Sequence, residues 1–151
     1  MKNSAGLLMY RRGPDGVAQV LLAHPGGPFW RGKDQGAWTI PKGEYDEPEQ
    51  PLAAARREFT EETGFPVAPP FFPLGDVVQK SGKRVSAWAV AGDCDPSQLR
   101  CNTFELEWPP RSGRRQSYPE IDRIEWFALD EARRRIIAAQ RALVDRLEQA
   151  L

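Results

Sequence analysis

The chain has 151 residues, enough for one domain with a buried core, and 40% of them are hydrophobic while 28% are charged. Its 21 basic residues balance 21 acidic ones, so the overall charge does not favour binding to nucleic acid or to an anionic membrane. No stretch approaches the roughly 18 consecutive apolar residues of a membrane-spanning helix, and the N-terminal segment MKNSAGLLMYRRG lacks a signal-peptide pattern. We therefore expect a single cytoplasmic domain over residues 1–151, either a monomer or a homodimer.

The first quarter of the chain predicts two strands and a long loop. Residues 5–12 and 17–23 are apolar runs on either side of the turn RGPDG, which is the pattern of a β-hairpin. Residues 24–38 are rich in Gly and Pro, and loops of this length are often functional. Within this segment we expect His24, the only histidine, to be a plain loop residue and Trp38 to belong to the core.

The rest of the chain predicts a helix, several strands and a second helix. Good helix formers between Pro51 and Gly64 indicate a helix over Pro51–Thr63, with Pro at its start and Gly just past its end. Residues 71–78, 85–91, 103–108 and 124–127 predict strands, residues 109–122 a loop, and residues 128–150 one continuous helix. The predicted buried face of that last helix consists of Leu129, Ala132, Ile136, Ala139, Leu143 and Leu147. This order of elements predicts an α/β (α+β) fold in which helices pack on a mixed sheet.

The two cysteines do not indicate a metal site. Cys94 and Cys101 lie seven positions apart, without a CxxC motif or a nearby histidine, and this argues against structural zinc. We expect both thiols to be free, as is usual in a reducing compartment, and a disulfide between them is the alternative.

Three glutamates near the end of the first predicted helix share one face of it. Relative to Glu58, Glu61 lies about 60° to one side and Glu62 about 40° to the other, at ~100° per residue. This face borders the predicted buried stripe, formed by Leu52, Ala55, Phe59 and Thr63. Like charges on adjacent turns repel, and the C-terminus of a helix disfavours negative charge, so stability alone does not explain the cluster. A hard divalent cation such as Mg²⁺ would remove the penalty, and the alternative is a solvated acidic face.

The same segment resembles the sequence box of the Nudix hydrolases, Gly-x5-Glu-x7-Arg-Glu-U-x-Glu-Glu-x-Gly-U, in which U is a bulky apolar residue. The chain supplies Gly43, Glu49, Arg57, Glu58, Phe59, Glu61, Glu62, Gly64 and Phe65 at these positions. The only difference from the usual box is at the two U positions, where this chain has Phe instead of the more common aliphatic residue. The flanking segments GAWTIPKGE and EWFALDEA also look like the family's usual surroundings.

The resemblance implies a fold, an activity and a cofactor. The fold is an α/β/α sandwich with a mixed sheet, in which the box forms a loop, a helix and a second loop. The activity is Mg²⁺- or Mn²⁺-dependent hydrolysis of a nucleoside diphosphate linked to another group. The resemblance further implies that Glu58, Glu61 and Glu62 bind the metal, that one of them or a later carboxylate helps to activate water, and that the carbonyl oxygen of Gly43 joins the metal shell.

Further roles follow from the same resemblance and from the chemistry of phosphates and bases. Arg57 and Glu49 match positions that, in the family, brace the loop and the helix formed by the box. Lys42, next to the box glycine, is a candidate to hold a phosphate as a point charge, and Arg31 is another. Trp30, in the Gly/Pro loop, is a candidate to stack on a nucleobase.

Many family members add a carboxylate from outside the box, several residues before a Trp in the strand that leads to the last helix. Glu120 lies six residues before Trp126 in YPEIDRIEWF and is the preferred candidate, both as metal ligand and as catalytic residue. Glu105 and Glu107 are its rivals, although they share one face of a predicted strand and are also compatible with a solvated surface.

The substrate is less clearly indicated than the reaction. In the family, a Pro about fifteen residues past the box marks the enzymes that act on ADP-ribose, but this chain has Lys80 at that position. A Tyr two or three positions later marks one group that acts on diadenosine polyphosphates, but this chain has Gly82 and Lys83 at those positions. The lead-in WTIPKGE looks like that of members acting on nucleoside or dinucleoside polyphosphates, and we expect a nucleoside triphosphate or dinucleoside polyphosphate as substrate. The alternative is a non-catalytic Nudix-like module that binds a nucleotide, although such a module would be expected to lose box glutamates.

Overall fold

The computed structural model describes residues 2–151 and contains a six-stranded sheet, a two-stranded ribbon and three α-helices. The strands are β1 (Asn3–Arg12), β2 (Ala18–Pro25), β3 (Lys42–Glu44), β4 (Phe71–Val78), β5 (Arg84–Ala91), β6 (Thr103–Glu107), β7 (Arg115–Pro119) and β8 (Ile121–Ala128). The helices are α1 (Pro51–Thr63), α2 (Leu129–Arg135) and α3 (Arg141–Ala150). Across residues 2–151, no helix is long and apolar enough to cross a membrane.

The large sheet is mixed, and it forks around β1. Its strand order is β4-β5-β1-β2-β8, with β1 and β5 parallel and the other neighbouring pairs antiparallel. Strand β1 pairs with β3 through residues 4–6 but with β2 only through residues 10–12, so β2 and β3 part between these two points. The end of the loop over residues 26–41 closes the fork, because Thr39 exchanges two backbone hydrogen bonds with Ala23 and the carbonyl of Pro41 accepts one from Leu7.

Helices cover both faces of this sheet, and each face has its own hydrophobic core. Side chains alternate along β1, so Leu7 packs in the same core as Phe59 of α1, while Leu8 packs in the same core as Leu143 of α3. Strand β1 is thus buried on both sides, as expected for the central strand of a covered sheet. The α/β/α sandwich with a mixed sheet that the sequence predicts is confirmed.

Helix α1 has the predicted bounds. Pro51 is at its first position, and Gly64 ends it in the left-handed conformation with φ 82°, donating its N–H to the carbonyl of Thr60. The buried residues are Ala54, Ala55, Phe59 and Thr63, so the predicted stripe is right except that Ala54 is more buried than Leu52.

The prediction of one continuous C-terminal helix is wrong. Helix α2 ends at Arg135, Ile136 is extended with ψ 149°, and a short 3₁₀ turn precedes α3. The chain leaves the helix to form strand-type bonds with the loop: the N–H of Trp38 donates to Arg135 O at 2.9 Å and that of Ile137 to Trp38 O at 2.8 Å. Two successive β-branched residues, Ile136 and Ile137, favour this extended geometry. Five residues of the predicted buried face are buried, and Ala139, which lies in the interruption, is half-buried.

Three further local predictions need correction. Residues 109–122 were predicted as a loop, but they contain β7, which forms the ribbon with β6 and places Tyr118 next to Phe104. Strand β3 was not predicted, because it has only three residues and is recognised as a strand only by its pairing with β1. His24 is not a loop residue; it lies in β2, is 1% exposed, and its ring nitrogens contact Asp122 and the carbonyl of Lys33. The prediction of free thiols at both cysteines is confirmed.

Candidate active site

Two glutamates of α1, Glu58 and Glu62, lie close enough to Glu120, the residue before β8, for their charges to influence one another. Burial raises the pKa of Glu62 to about 8, and the nearby charges of Glu58 and Glu120 act in the same direction. Burial also raises the pKa of Glu58, to which Glu61 and Glu120 add while Arg57 opposes them. Glu58 and Glu62 therefore lie where water screens their charges poorly, whereas Glu120 is exposed.

The short strand β3 holds two of these carboxylates against its backbone. A methyl group at Gly43 would lie 2.1 Å from the carboxyl carbon of Glu58, so glycine lets this carboxylate lie against the strand, and any side chain here would displace it. The backbone N–H of Lys42 donates to Oε1 of Glu62 at 3.1 Å. The loop before α1 and the last two turns of the helix are therefore joined through the predicted metal-binding residues.

Arg57 connects the remaining acidic residues of the box. Its Nε and Nη2 each lie 2.8 Å from a carboxylate oxygen of Glu49, which is a bidentate pair. Its Nη1 donates to Glu58 at 2.9 Å and to Glu61 at 3.2 Å. The predicted bracing geometry is thus present: one guanidinium fixes the loop before the helix and offsets the repulsion among the glutamates.

A cavity of about 330 Å³ opens next to the carboxylates. Lys42, Glu62 and Glu120 form the charged part of its wall, and Trp30 and Ile137 belong to the apolar part. A larger depression of about 750 Å³ lies over residues 44–51, but none of the α1 glutamates lines it. The smaller cavity is therefore the one that combines the carboxylates with an apolar surface.

Of the other residues predicted from the sequence, some line the smaller cavity and others do not. Trp30 is 37% exposed and lines the cavity, with the ammonium of Lys33 at 5.4 Å from its ring centre. Arg31 is exposed and lies outside the cavity wall. The rivals of Glu120 face solvent on β6: Glu105 pairs with Arg115, and Glu107 accepts from a backbone N–H of the ribbon turn. Trp38 is fully buried, as predicted.

Several residues of the cavity were not predicted from the sequence. Thr39, Gln79 and Ile137 line it, although they lie far apart along the chain. Buried Gln140 lies behind two of them and hydrogen-bonds to both side chains.

The donor set fits a hard divalent cation. Glu58, Glu62 and Glu120 supply carboxylate oxygens, the ligands that Mg²⁺ and Mn²⁺ prefer, and the backbone of Gly43 touches one of them. Within residues 2–151, no three acidic, His or Cys side chains converge on a single point, since Glu58 is turned to Arg57 and Glu62 to a backbone N–H. Burial raises the pKa of Glu58 and of Glu62 although the charges of Arg57 and Lys42 oppose the rise, and a divalent cation would favour the ionised form of both carboxylates.

Solved structures of low sequence identity share the fold of this chain. Among solved structures, an Ap4A hydrolase of C. elegans in a binary complex is 20% identical, with a TM-score of 0.65 over 99% of this chain and 97% of its own. The NUDIX domain of Shewanella oneidensis NrtR, complexed with ADP ribose, is 15% identical, with a TM-score of 0.66 over 98% of this chain and 86% of its own. A MutT protein of Methanosarcina mazei Go1 is 19% identical, with a TM-score of 0.61 over 99% and 94% of the two chains.

These likenesses establish the fold, and the sequence itself establishes the family. A comparison with curated proteins gave no match. The NUDIX domain model matches residues 2–147, nearly the whole chain. The chain therefore belongs to the NUDIX family and is a pyrophosphohydrolase, as its sequence box predicts.

Proposed function

We propose that this pyrophosphohydrolase cleaves a phosphoanhydride bond of a nucleoside triphosphate or a dinucleoside polyphosphate, with Mg²⁺ or Mn²⁺ as cofactor. The proposal depends on one observation above all: the carboxylates of Glu62 and Glu120 line the same cavity as Trp30 and Lys42. A phosphate chain and a base thus have adjacent surfaces of suitable chemistry. The structural similarity to an Ap4A hydrolase and to a domain complexed with ADP ribose supports a nucleotide as ligand.

The box residues would hold the cation. Glu58, Glu62 and Glu120 are its proposed side-chain ligands, and the carbonyl of Gly43 is the proposed backbone ligand. Glu61 is exposed and bound to Arg57, and it remains a proposed metal ligand at the rim of the site. When bound, such a cation neutralises charge on the phosphate oxygens and lowers the pKa of water.

Glu120 is the proposed acceptor of the proton from the attacking water. Its carboxylate makes no hydrogen bond or ion pair within residues 2–151, whereas Oε1 of Glu62 accepts from a backbone N–H and Glu58 is bound to Arg57. An unpartnered carboxylate on the cavity wall has free lone pairs for the proton, and a general base must lie within hydrogen-bond reach of the water.

The cations and the aromatic residue of the loop would orient the substrate. Lys42 is half-buried; desolvation and the nearby charge of Lys83 lower the pKa of its ammonium, and the carboxylates of Glu62 and Glu44 oppose that shift. A phosphate would give it a further countercharge. Trp30 would stack on the base, and Arg31, outside the cavity, would meet only a phosphate chain that extends beyond it.

A substrate panel with product identification tests this proposal. Nucleoside triphosphates, dinucleoside polyphosphates, nucleotide sugars and ADP-ribose are incubated with Mg²⁺, with Mn²⁺ and with a chelator, and the products are resolved by ion-exchange chromatography. We expect metal-dependent cleavage of at least one polyphosphate, a loss of turnover by orders of magnitude in Glu62→Gln, and normal turnover in Glu107→Gln, an exposed control on β6. Nucleotide binding without any hydrolysis would instead favour the non-catalytic module.

A further inference from the structure

The amide of Gln140 has only one orientation compatible with its surroundings. Its side chain is completely buried in the interruption between α2 and α3, and one of its amide atoms lies 2.9 Å from the backbone N–H of Ile40. An N–H can only donate, so the atom facing it is the oxygen, Oε1. The other amide atom, Nε2, must then donate, and it lies 3.1 Å from Oγ1 of Thr39 and 3.1 Å from the amide oxygen of Gln79.

This arrangement fixes the amide of Gln79 in turn. Because Gln140 donates to it, the atom of Gln79 that faces Gln140 is its oxygen, and the NH₂ group points elsewhere. That NH₂ group makes no hydrogen bond within residues 2–151, and Gln79 lines the cavity. The neighbouring hydroxyl of Thr39 has no proton to offer a ligand, since it donates to the carbonyl of Ile40 at 2.7 Å. The neutral side chains of the cavity therefore present a donor whose orientation the protein has already set.

We propose that Gln79 determines which nucleobase the cavity accepts, and that it selects bases with a carbonyl oxygen at purine position 6 or pyrimidine position 4 over bases with an amino group at that position. This inference rests on the function proposed above. Guanine presents adjacent acceptors, O6 and N7, whereas adenine presents a donor at the equivalent position of N6. A second NH₂ group opposite that of Gln79 would leave two donors without acceptors. The same contrast separates hypoxanthine from adenine and uracil from cytosine.

The rigidity of the hydrogen-bond chain gives the selection its strength. A free glutamine side chain would turn its oxygen toward an amino group, but here a turned amide would place NH₂ against the Nε2 of Gln140. Turning Gln140 as well would break its bond to the buried N–H of Ile40. Sites that offer a fixed hydrogen bond discriminate strongly against a ligand that cannot make it.

The test compares matched pairs of substrates within each variant, so that changes common to both substrates cancel. The pairs are inosine triphosphate with ATP, and UTP with CTP. In the wild type we expect kcat/KM for the carbonyl-bearing member to be roughly tenfold higher. In Gln79→Ala the ratio should approach one. In Gln79→Glu it should fall below one, because one carboxylate oxygen accepts from Gln140 and the other accepts from the amino group of the base.

Controls separate this selection from other effects. Gln98→Glu adds the same charge at an exposed position and should leave the ratio at its wild-type value. Equal activity on both members, a preference for the amino-bearing member, or a ratio unchanged in Gln79→Ala would overturn the inference while leaving the proposed function intact.

A binding measurement covers the case in which no triphosphate is hydrolysed. Titration calorimetry without divalent ions compares inosine diphosphate with ADP. Tighter binding of inosine diphosphate that disappears in Gln79→Ala would support the selection even if the proposed hydrolysis failed. Equal affinities would refute the selection.

Discussion

Replacing Glu62 with Gln should reveal how strongly the fold opposes a negative charge beside the cavity. Burial raises the pKa of this carboxyl from 4.5 to about 8. Below pH ~4.5 the folded and unfolded states both keep the proton; between that value and pH ~8 the folded protein keeps a proton that the unfolded chain releases. Without divalent cations, stability should therefore fall as pH rises through this window and remain level above it.

The size of the effect follows from the shift. Each pKa unit corresponds to ~1.36 kcal/mol, so the ionised carboxylate lowers the free energy of unfolding by at most roughly 5 kcal/mol above pH 8. The variant Glu62→Gln stays neutral and can still accept the N–H of Lys42 through its amide oxygen. Its stability should be close to that of the wild type near pH 4.5 and should exceed it by a few kcal/mol at pH 9.

Urea unfolding followed by tryptophan fluorescence at pH 5, 7 and 9, in the presence of a chelator, measures this difference. Glu49→Gln is a control of opposite sign, because Arg57 lowers the pKa of Glu49, and the stability from that pair is present at neutral pH and lost on acidification. Excess Mg²⁺ should stabilise the wild type, by about 2.7 kcal/mol at a hundred times the Kd, and should stabilise Glu62→Gln much less. A difference between wild type and Glu62→Gln that stays constant from pH 5 to 9 would refute the desolvation of Glu62.

Two further predictions concern the residues around the glutamates. In Gly43→Ala the new methyl group would lie 2.1 Å from the carboxyl carbon of Glu58, so the Glu58 side chain must move. We expect kcat/KM to fall about 100-fold while circular dichroism shows an intact fold. Wild-type activity would show that catalysis does not need Glu58 in this position. Arg57→Lys keeps the charge but loses the bidentate pair with Glu49, and thermal unfolding should show a loss of about 1 kcal/mol. A variant as stable as the wild type would mean that the charge alone braces the loop.

The sequence predicts those parts of the molecule whose cause is local. Pro51 and Gly64 bound α1 through their own backbone preferences, and helical spacing alone places Glu58 and Glu62 on the rim of the buried face. The box then points to Gly43, whose contact with Glu58 shows why a side chain does not fit there. The family, the fold and the class of reaction followed from this one segment.

The features that escaped prediction depend on partners far away in the chain. Ile136 fits an unbroken amphipathic helix as well as it fits an interrupted one, and only the backbone of Trp38 decides between them. His24 precedes a Pro/Gly segment and so resembles a loop residue, but its ring is buried between Asp122 and the carbonyl of Lys33. The role of Gln79 is invisible without Gln140, because a single amide has no preferred orientation.

The interruption between α2 and α3 ties the folding of the C-terminal segment to the occupancy of the cavity. Ile137 belongs to the cavity wall, and Gln140, three residues later, orients the donor of Gln79. A nucleotide bound in this cavity, as we propose, should therefore stabilise this segment against opening. Nucleotide binding should slow amide hydrogen exchange in α3, a helix whose own residues lie outside the cavity wall. The end of the chain therefore covers one face of the sheet and also supports the wall of the cavity.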